Sequence, residues 1–306
     1  MAQFRKFGTR KFGTRKDGSP ILAYELTSEA GFKAVILNHG AILQGFWIPN
    51  GQNMTLGFDN WEGYASDTAF SGRIVGPNAN RILGARFRID EEEYELKAND
   101  GGNNLHSGPD GFDKKIWDVT QKDNELILSL DSQNGYNGFP GSVVANLNIS
   151  LIENRLRLEL EATSERPTPM NMTWHPYWRL SRDGKIDSHD LRIEAETYTV
   201  LETGSERSVN DTYHDFRNAL PIGHTKLDDN YKNVRQVSLR SENIRMTVTS
   251  SLPDMQVYTG DGLRNPRSGI AIEPQYQPND INLAQKSLLR PGEVYRHWIE
   301  YKFDLD

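Results

Sequence analysis

Two residues in this chain have the chemistry of a proton-transfer pair and share an unusual setting. Glu273 follows Ser-Gly-Ile-Ala-Ile and precedes Pro274, and His175 sits in the run Met-Thr-Trp-His-Pro-Tyr-Trp over 172–178. A residue before proline is pushed to extended geometry, and strands tend to stop there. Both side chains are therefore expected near strand ends, where a β scaffold can present a carboxylate and an imidazole as base and acid. Carboxylates are rarely buried unless paired or functional, and Glu273 comes directly after Ile270, Ala271 and Ile272. From the residues alone, Glu273 could equally form a structural salt bridge, and His175 could be a core imidazole bonded to a backbone carbonyl.

Other polar residues stand in contexts that would suit a neutral ligand rich in hydroxyls. They are Asn80 and Arg81 in Gly-Pro-Asn-Ala-Asn-Arg-Ile, His106 in a Gly/Asn-rich loop, Asp228 in Lys-Leu-Asp-Asp-Asn-Tyr, and Gln256 in Met-Gln-Val-Tyr-Thr-Gly. Amides donate and accept, guanidinium donates in a fixed fork, and carboxylate accepts. Trp174, Tyr177 and Trp178 around His175 fit either a core or a wall for sugar faces. The remaining histidines read as structural: His297 on the apolar face of a strand, His39 in a turn, and His189, His214 and His224 in solvated loops. No His-x-His or His-x-x-x-His pair occurs, so no metal site is expected. A G-x-S-x-G elbow and a glycine-rich phosphate loop are also absent from the sequence.

The composition narrows the partners. The chain has 306 residues, a formal net charge of −7 and no cysteine. An acidic balance argues against nucleic acid, and the missing cysteines exclude disulfide and thiolate chemistry. Residues 1–16 are basic, but no apolar segment of signal-peptide type follows, and no apolar run reaches membrane-spanning length. A cytoplasmic protein with a small-molecule partner and no membrane partner is expected, its oligomeric state unreadable. The four Asn-x-Ser/Thr triplets read as chance occurrences. Lys-Phe-Gly-Thr-Arg occurs twice in succession, at 6–10 and 11–15, and carries no assigned function.

The elements that must hold these side chains are strands. Val143, Ala145, Leu147, Ile149 and Leu151 alternate with polar neighbours, and after Glu153-Asn154 the alternation resumes at Leu156, Leu158, Leu160 and Ala162. Two period-2 runs across a short polar break predict a hairpin. Leu126–Leu128–Leu130, Ile244–Met246–Val248 and Tyr295–His297–Ile299–Tyr301 repeat the pattern, whereas helical periodicity is confined to a short stretch near 60–65. The expected fold is all-β, one large antiparallel β-sandwich filling 1–306 as a single domain, with 1–11 an extra basic segment.

At these residues the chain resembles the aldose 1-epimerases, or galactose mutarotases. The matching motifs occur in order: Asn80-Arg81-Ile82, then Asn104-Leu105-His106 with Gly111-Phe112-Asp113-Lys114, then Thr173, His175 and Tyr177, then Asp228 with Asn230-Tyr231, Gln256-Val257-Tyr258-Thr259-Gly260, and Glu273-Pro274-Gln275. The resemblance implies a cofactor-free sugar isomerase of galactose-mutarotase type fold, with Glu273 as general base and His175 as general acid. It implies that Asn80, Arg81, His106, Asp228 and Gln256 bind a free hexose such as galactose or glucose. Pro77, Asp229, Trp174, Pro176 and Arg179 depart from the usual pattern, and Trp174 and Arg179 are the residues expected to reshape the pocket, Arg179 more simply through a surface contact. An epimerase for a phosphorylated or acidic sugar and a non-catalytic sugar-binding protein are the competing readings.

Overall fold

The computed structural model describes residues 8–201 and 203–306, so Lys6 and Phe7 of the first Lys-Phe-Gly-Thr-Arg copy lie outside the described residues. The alternating runs form the centre of a nine-stranded antiparallel sheet. Its spatial order is Asp118–Lys122, Glu125–Ser132, Val143–Ile152, Arg155–Ser164, Tyr295–Leu305, Ile244–Ser250, Val237–Ser241, Asp190–Ile193 and Leu220–Pro221. The predicted hairpin pairs Val143 with Ser164 through to Ile152 with Arg155, and Glu153 takes a left-handed conformation in the turn. The predicted short helix is Trp61–Ser66, capped by the Asn60 side chain accepting from the Gly63 amide.

Two smaller sheets face the large one. Thr9–Thr14, Pro20–Thr27, Lys33–Leu37 and Leu43–Trp47 form a four-stranded meander. Tyr177–Trp178, Ile270–Gln275, Asp254–Tyr258, Asp228–Tyr231, Thr197–Thr199 and Glu206–Ser208 form a six-stranded sheet. A single large apolar cluster fills the space between the layers, which makes the architecture a β-sandwich. Phe46 stacks on Phe303 at 4.5 Å and Trp178 lies 4.8 Å from Tyr301, so aromatic rings from opposing layers lock the sheets together.

The alternation of the six-stranded sheet is what aims the chemistry. Ile270 and Ile272 of one strand, with Met255 and Val257 of its neighbour, enter the core cluster. Their sequence neighbours Glu273 and Gln256 must then point to the opposite face, and the register sets these two directly across from each other. Asp228 lies two residues before Asn230, the partner of Gln256, which gives Asp228 the same face.

Glu273 is not at a strand end as its position before proline predicts. Its strand continues through Pro274 to Gln275. Pairing with Tyr177–Trp178 stops at Ala271, so the following residues have a β partner only on the Asp254–Tyr258 side. A proline lacks only the amide hydrogen and is tolerated where a strand is unpaired on one side. The His175 expectation holds, since it lies in the gap between the two-residue strands Thr173–Trp174 and Tyr177–Trp178.

Candidate active site

Backbone contacts on both sides hold His175. Its amide donates to the Arg73 carbonyl at 2.9 Å, and its carbonyl accepts from the Gly72 amide at 2.9 Å. Gly72 has φ +71, and a Cβ there would meet the Leu43 carbonyl oxygen at 2.3 Å, so both conformation and space require glycine. The segment leading into Gly72 is organised by Asp67, whose carboxylate accepts from the amides of Ala69 and Ser71 at 3.1 and 2.9 Å. That loop carries Phe70 in a left-handed conformation uncommon for a bulky residue, with its ring 4.6 Å from the His106 ring and 6.2 Å from that of His175.

A cleft of about 220 Å³ opens over the polar face of the six-stranded sheet. Asn80, Arg81, His106, His175, Asp228, Gln256 and Glu273 all line it, so every side chain expected at the site converges on one cavity. The His175 Nε2 to Glu273 Oε1 distance is 3.4 Å, with the residues 4 % and 2 % exposed. Glu273 Oε2 and Gln256 Oε1 are buried without a partner. Such orphaned acceptors are costly unless a ligand supplies hydroxyl donors. Gln256 donates to Asp228 at 2.8 Å, which orients its carbonyl oxygen as the free end. The Arg81 guanidinium donates to Asp100 at 2.7 Å and lies 4.0 Å from Asp228, bridging two carboxylates at the cleft wall.

His106 and Asn80 form a reciprocal pair. The His106 amide donates to the Asn80 carbonyl at 3.0 Å, and the Asn80 amide donates to His106 Nδ1 at 3.2 Å. Both residues have left-handed φ, near 52° and 60°. Because Nδ1 accepts, the proton of the neutral ring resides on Nε2, which is then a donor. This decides a further question about the cleft. Ligand atoms of His106, His175 and Glu273 lie within 4.8 Å of one another, a spacing compatible with a metal ion, although the residues are far apart in sequence. A protonated Nε2 has no lone pair for a metal, and two remaining ligands are fewer than a protein metal site normally supplies. The arrangement serves a hydroxyl acceptor better than a cation.

Burial dominates the electrostatics. It pushes the His175 imidazole down to about 4 and pushes His106 well below its usual value, the latter aided by the charges of His175 and Arg81. Burial drives Glu273 well above the usual carboxylate range, Asp228 adding to the rise and Arg81 opposing it. Burial thus favours a neutral imidazole and a protonated carboxyl, one proton between the two groups. Whichever partner holds it, the pair contains one acid and one base.

Several expectations fail. Trp174 is fully buried in the core, its Nε1 donating to the Ala41 carbonyl at 3.1 Å, and it does not line the cleft. Arg179 also stays outside the cleft, but its Nε is buried without a partner, so the expected bridge to a surface acid is not seen among the described residues. His189 and His214 are buried, not solvated: His189 Nε2 accepts from the Leu180 amide, and His214 pairs with Asp229 at 3.1 Å. Polar loop sequence does not reveal such burial, because it arises from distant segments packing over the ring. His297 is satisfied at both nitrogens, by Ser251 and Tyr276. Sequence reasoning did not single out Phe70 or Tyr258, both of which line the cleft. The alternation from Gln256 would have found Tyr258, whereas Phe70 depends on a backbone conformation that carries no pattern.

Comparison with known proteins points to one family. The profile of the family described as Aldose 1-epimerase matches residues 23–302. The chain is 31% identical to the aldose 1-epimerase of Escherichia coli K12, over 94% of this chain and 96% of that protein. It is 31% identical to the galactose mutarotase of Bos taurus, over 83% and 84% respectively. Among solved structures, a galactose 1-epimerase from Lactobacillus acidophilus superimposes with a TM-score of 0.89 at 27% identity, covering 98% of this chain and 99% of that one. An aldose epimerase homologue from C. elegans gives 0.88 at 28% identity, covering 92% and 98%. With a family profile spanning most of its length and relatives of this identity and coverage, the chain belongs to the aldose 1-epimerase family.

Proposed function

We propose that this protein is an aldose 1-epimerase that interconverts the α and β anomers of a free neutral hexose, with Glu273 as general base and His175 as general acid. The observation that carries the assignment is the 3.4 Å His175–Glu273 pair in a cleft lined by orphaned acceptors and a positioned donor. In a pyranose, O1 and the ring oxygen O5 share one carbon, so an acid and a base serving them must lie within a few ångströms of each other.

In the reaction, Glu273 takes the proton of the C1 hydroxyl while the C1–O5 bond breaks with its electron pair moving to O5. His175 delivers its proton to O5, leaving an open-chain aldehyde. Rotation about C1–C2 presents the other carbonyl face. O5 then attacks C1, returns its proton to His175, and the new O1 recovers a proton from Glu273. Protons and electrons balance, and no redox partner is needed. The reactive tautomer has Glu273 ionised and His175 protonated. Burial disfavours it in the empty cleft, and the hydroxyl dipoles of a bound sugar replace the lost solvation. His106 Nε2–H and Arg81 supply donors, Gln256 Oε1 and Asp228 acceptors, and Asn80 fixes His106.

A neutral sugar is favoured over a phosphorylated or acidic one. Among the described residues lining the cleft, Arg81 is the one arginine or lysine, and it already faces Asp100 and Asp228. A phosphate dianion calls for several convergent cations with free donors. Polarimetry on freshly dissolved α-galactose and α-glucose tests the reading: faster decay of optical rotation than in buffer is expected. No acceleration with either sugar would remove the assignment, and preferential turnover of 6-phosphorylated sugars would overturn the substrate class.

A further inference from the structure

A second cavity, about 360 Å³, lies behind the Gly72–Arg73 segment and shares no lining residue with the sugar cleft. Four of its residues, Arg15, Lys16, Arg73 and Lys114, are cations, and one, Asp17, is an anion. The rings of His39, Trp61 and Tyr64 supply its remaining wall, His39 standing edge-on to Trp61 at 4.6 Å. Counter-charges are present but incomplete. Asp17 lies 3.6 Å from Arg15, Asp113 2.9 Å from Lys114, and Asp67 3.7 Å from Arg73. Among the described residues Lys16 makes no ion pair, and the buried Nε of Arg73 and Nδ1 of His39 have no hydrogen-bond partner. The His39 imidazole is pushed down to about 3, by burial first and then by Arg73, Arg15 and Lys114. Four cations thus meet three carboxylates around this cavity.

We propose that this cavity is a regulatory site for a phosphate monoester, with the cations holding the phosphate and the aromatic rings receiving the organic part. Convergent guanidinium and ammonium groups suit a dianion, and the half-buried Trp61 suits a ring face. The route to the chemistry is short. Lys114 Nζ lies 5.5 Å from the centroid of Phe70, the ring that neighbours His106 and His175. The Arg73 carbonyl accepts from the His175 amide at 2.9 Å. The Arg73 guanidinium is held by the Asp113 and Tyr64 carbonyls, so an anion that draws Lys114 towards itself acts on the setting of the acid through Phe70. A site of this kind would let a phosphorylated product of later sugar metabolism adjust the supply of anomer.

The kinetic half of this proposal rests on the epimerase reading; the binding half does not. Calorimetry with phenyl phosphate, which lacks sugar hydroxyls and so has no claim on the cleft, and with inorganic phosphate reads binding without turnover. Polarimetry with galactose, with and without phenyl phosphate, reads the response. Phenyl phosphate is expected to bind more tightly than inorganic phosphate and to change kcat/KM about five-fold, a usual size for coupling between sites. The double variant Arg15→Ala/Lys16→Ala should keep its basal turnover, bind about ten-fold more weakly or worse, and lose the response. No binding up to about 10 mM, ten thousand-fold short of micromolar affinity, overturns the proposal. So does equal affinity in the double variant, or binding that leaves the rate unchanged. Binding that persists in a protein with no mutarotation in any condition would count against the activity and not against the anion site.

Discussion

Glu273→Gln separates catalysis from folding more cleanly than any other substitution in the cleft. The amide keeps the shape of a side chain that is 2 % exposed, and it removes the one group assigned to accept the C1 proton. A positioned general base is worth about 10²–10⁴ in rate. At about 1.4 kcal/mol per factor of ten, that is a loss of roughly 3–5 kcal/mol in transition-state stabilisation. Stability should move the other way. The folded pKa of Glu273 lies well above its ordinary value because the carboxyl is buried. The folded chain therefore keeps a proton that the unfolded chain releases, and wild-type stability falls as pH rises from the ordinary glutamate range towards the raised folded value. Glutamine has no such loss. The variant should gain on the wild type in thermal melts as pH is raised above the ordinary glutamate range, while polarimetry shows turnover near the buffer rate. Wild-type turnover in Glu273→Gln would refute its role as base. A melting difference that is constant with pH, or that shrinks as pH rises, would refute the claim that burial holds the carboxyl protonated.

Three further outcomes follow from the same geometry. The pH profile of kcat/KM should be flat through neutrality with an acid limb near about 4, where His175 would bind a second proton to the pair; a limb near the ordinary imidazole value, read by polarimetry across pH, would contradict the burial argument. Asp228→Asn keeps the Gln256 contact partner but removes the charge facing Arg81, so KM for galactose should rise several-fold with a smaller change in kcat, and an unchanged KM would exclude Asp228 from binding. Trp174→Phe should leave the ratio of galactose to glucose turnover unaltered while lowering stability by about 1–3 kcal/mol, because it strands the Ala41 carbonyl and leaves a void in the core. A changed sugar preference in that variant would return Trp174 to the specificity-determining role that its position beside His175 invites.

Legibility followed the period of the backbone. Where side chains alternate in and out of one sheet, as in 143–152, 155–164 and 295–305, local sequence carries both the element and its buried face. The same rule, applied to Ile270–Ala271–Ile272–Glu273, is enough to aim Glu273 away from the core. Motif order then supplied what periodicity could not, namely that Asn80, His106, His175 and Asp228, far apart in the chain, meet at one cleft. The tautomer of His106 was out of reach, since it depends on a single amide of Asn80 held in a left-handed conformation. Burial of His189 and His214 was hidden for a similar reason: their surroundings come from segments whose approach no local pattern encodes.

The role of Trp174 shows how far a neighbour in sequence can be from a neighbour in chemistry. In an extended segment, consecutive side chains leave on opposite faces. If His175 faces the sugar, Trp174 must face the core, and it does so against Tyr301 at 6.3 Å. The residue two positions on, Tyr177, returns to the cleft side and lies 5.0 Å from the His175 ring. Substrate preference is therefore to be sought at Tyr177, Tyr258 and Phe70, the aromatic surfaces that share the cleft with the acid and base, and not at the departures from the family pattern that merely adjoin them. Phe70 is the most exposed to adjustment, because its position is held by a left-handed backbone anchored on Asp67 and by Lys114 from the neighbouring cationic cavity. A change in either anchor would move an apolar wall of the sugar site without touching a group that transfers a proton.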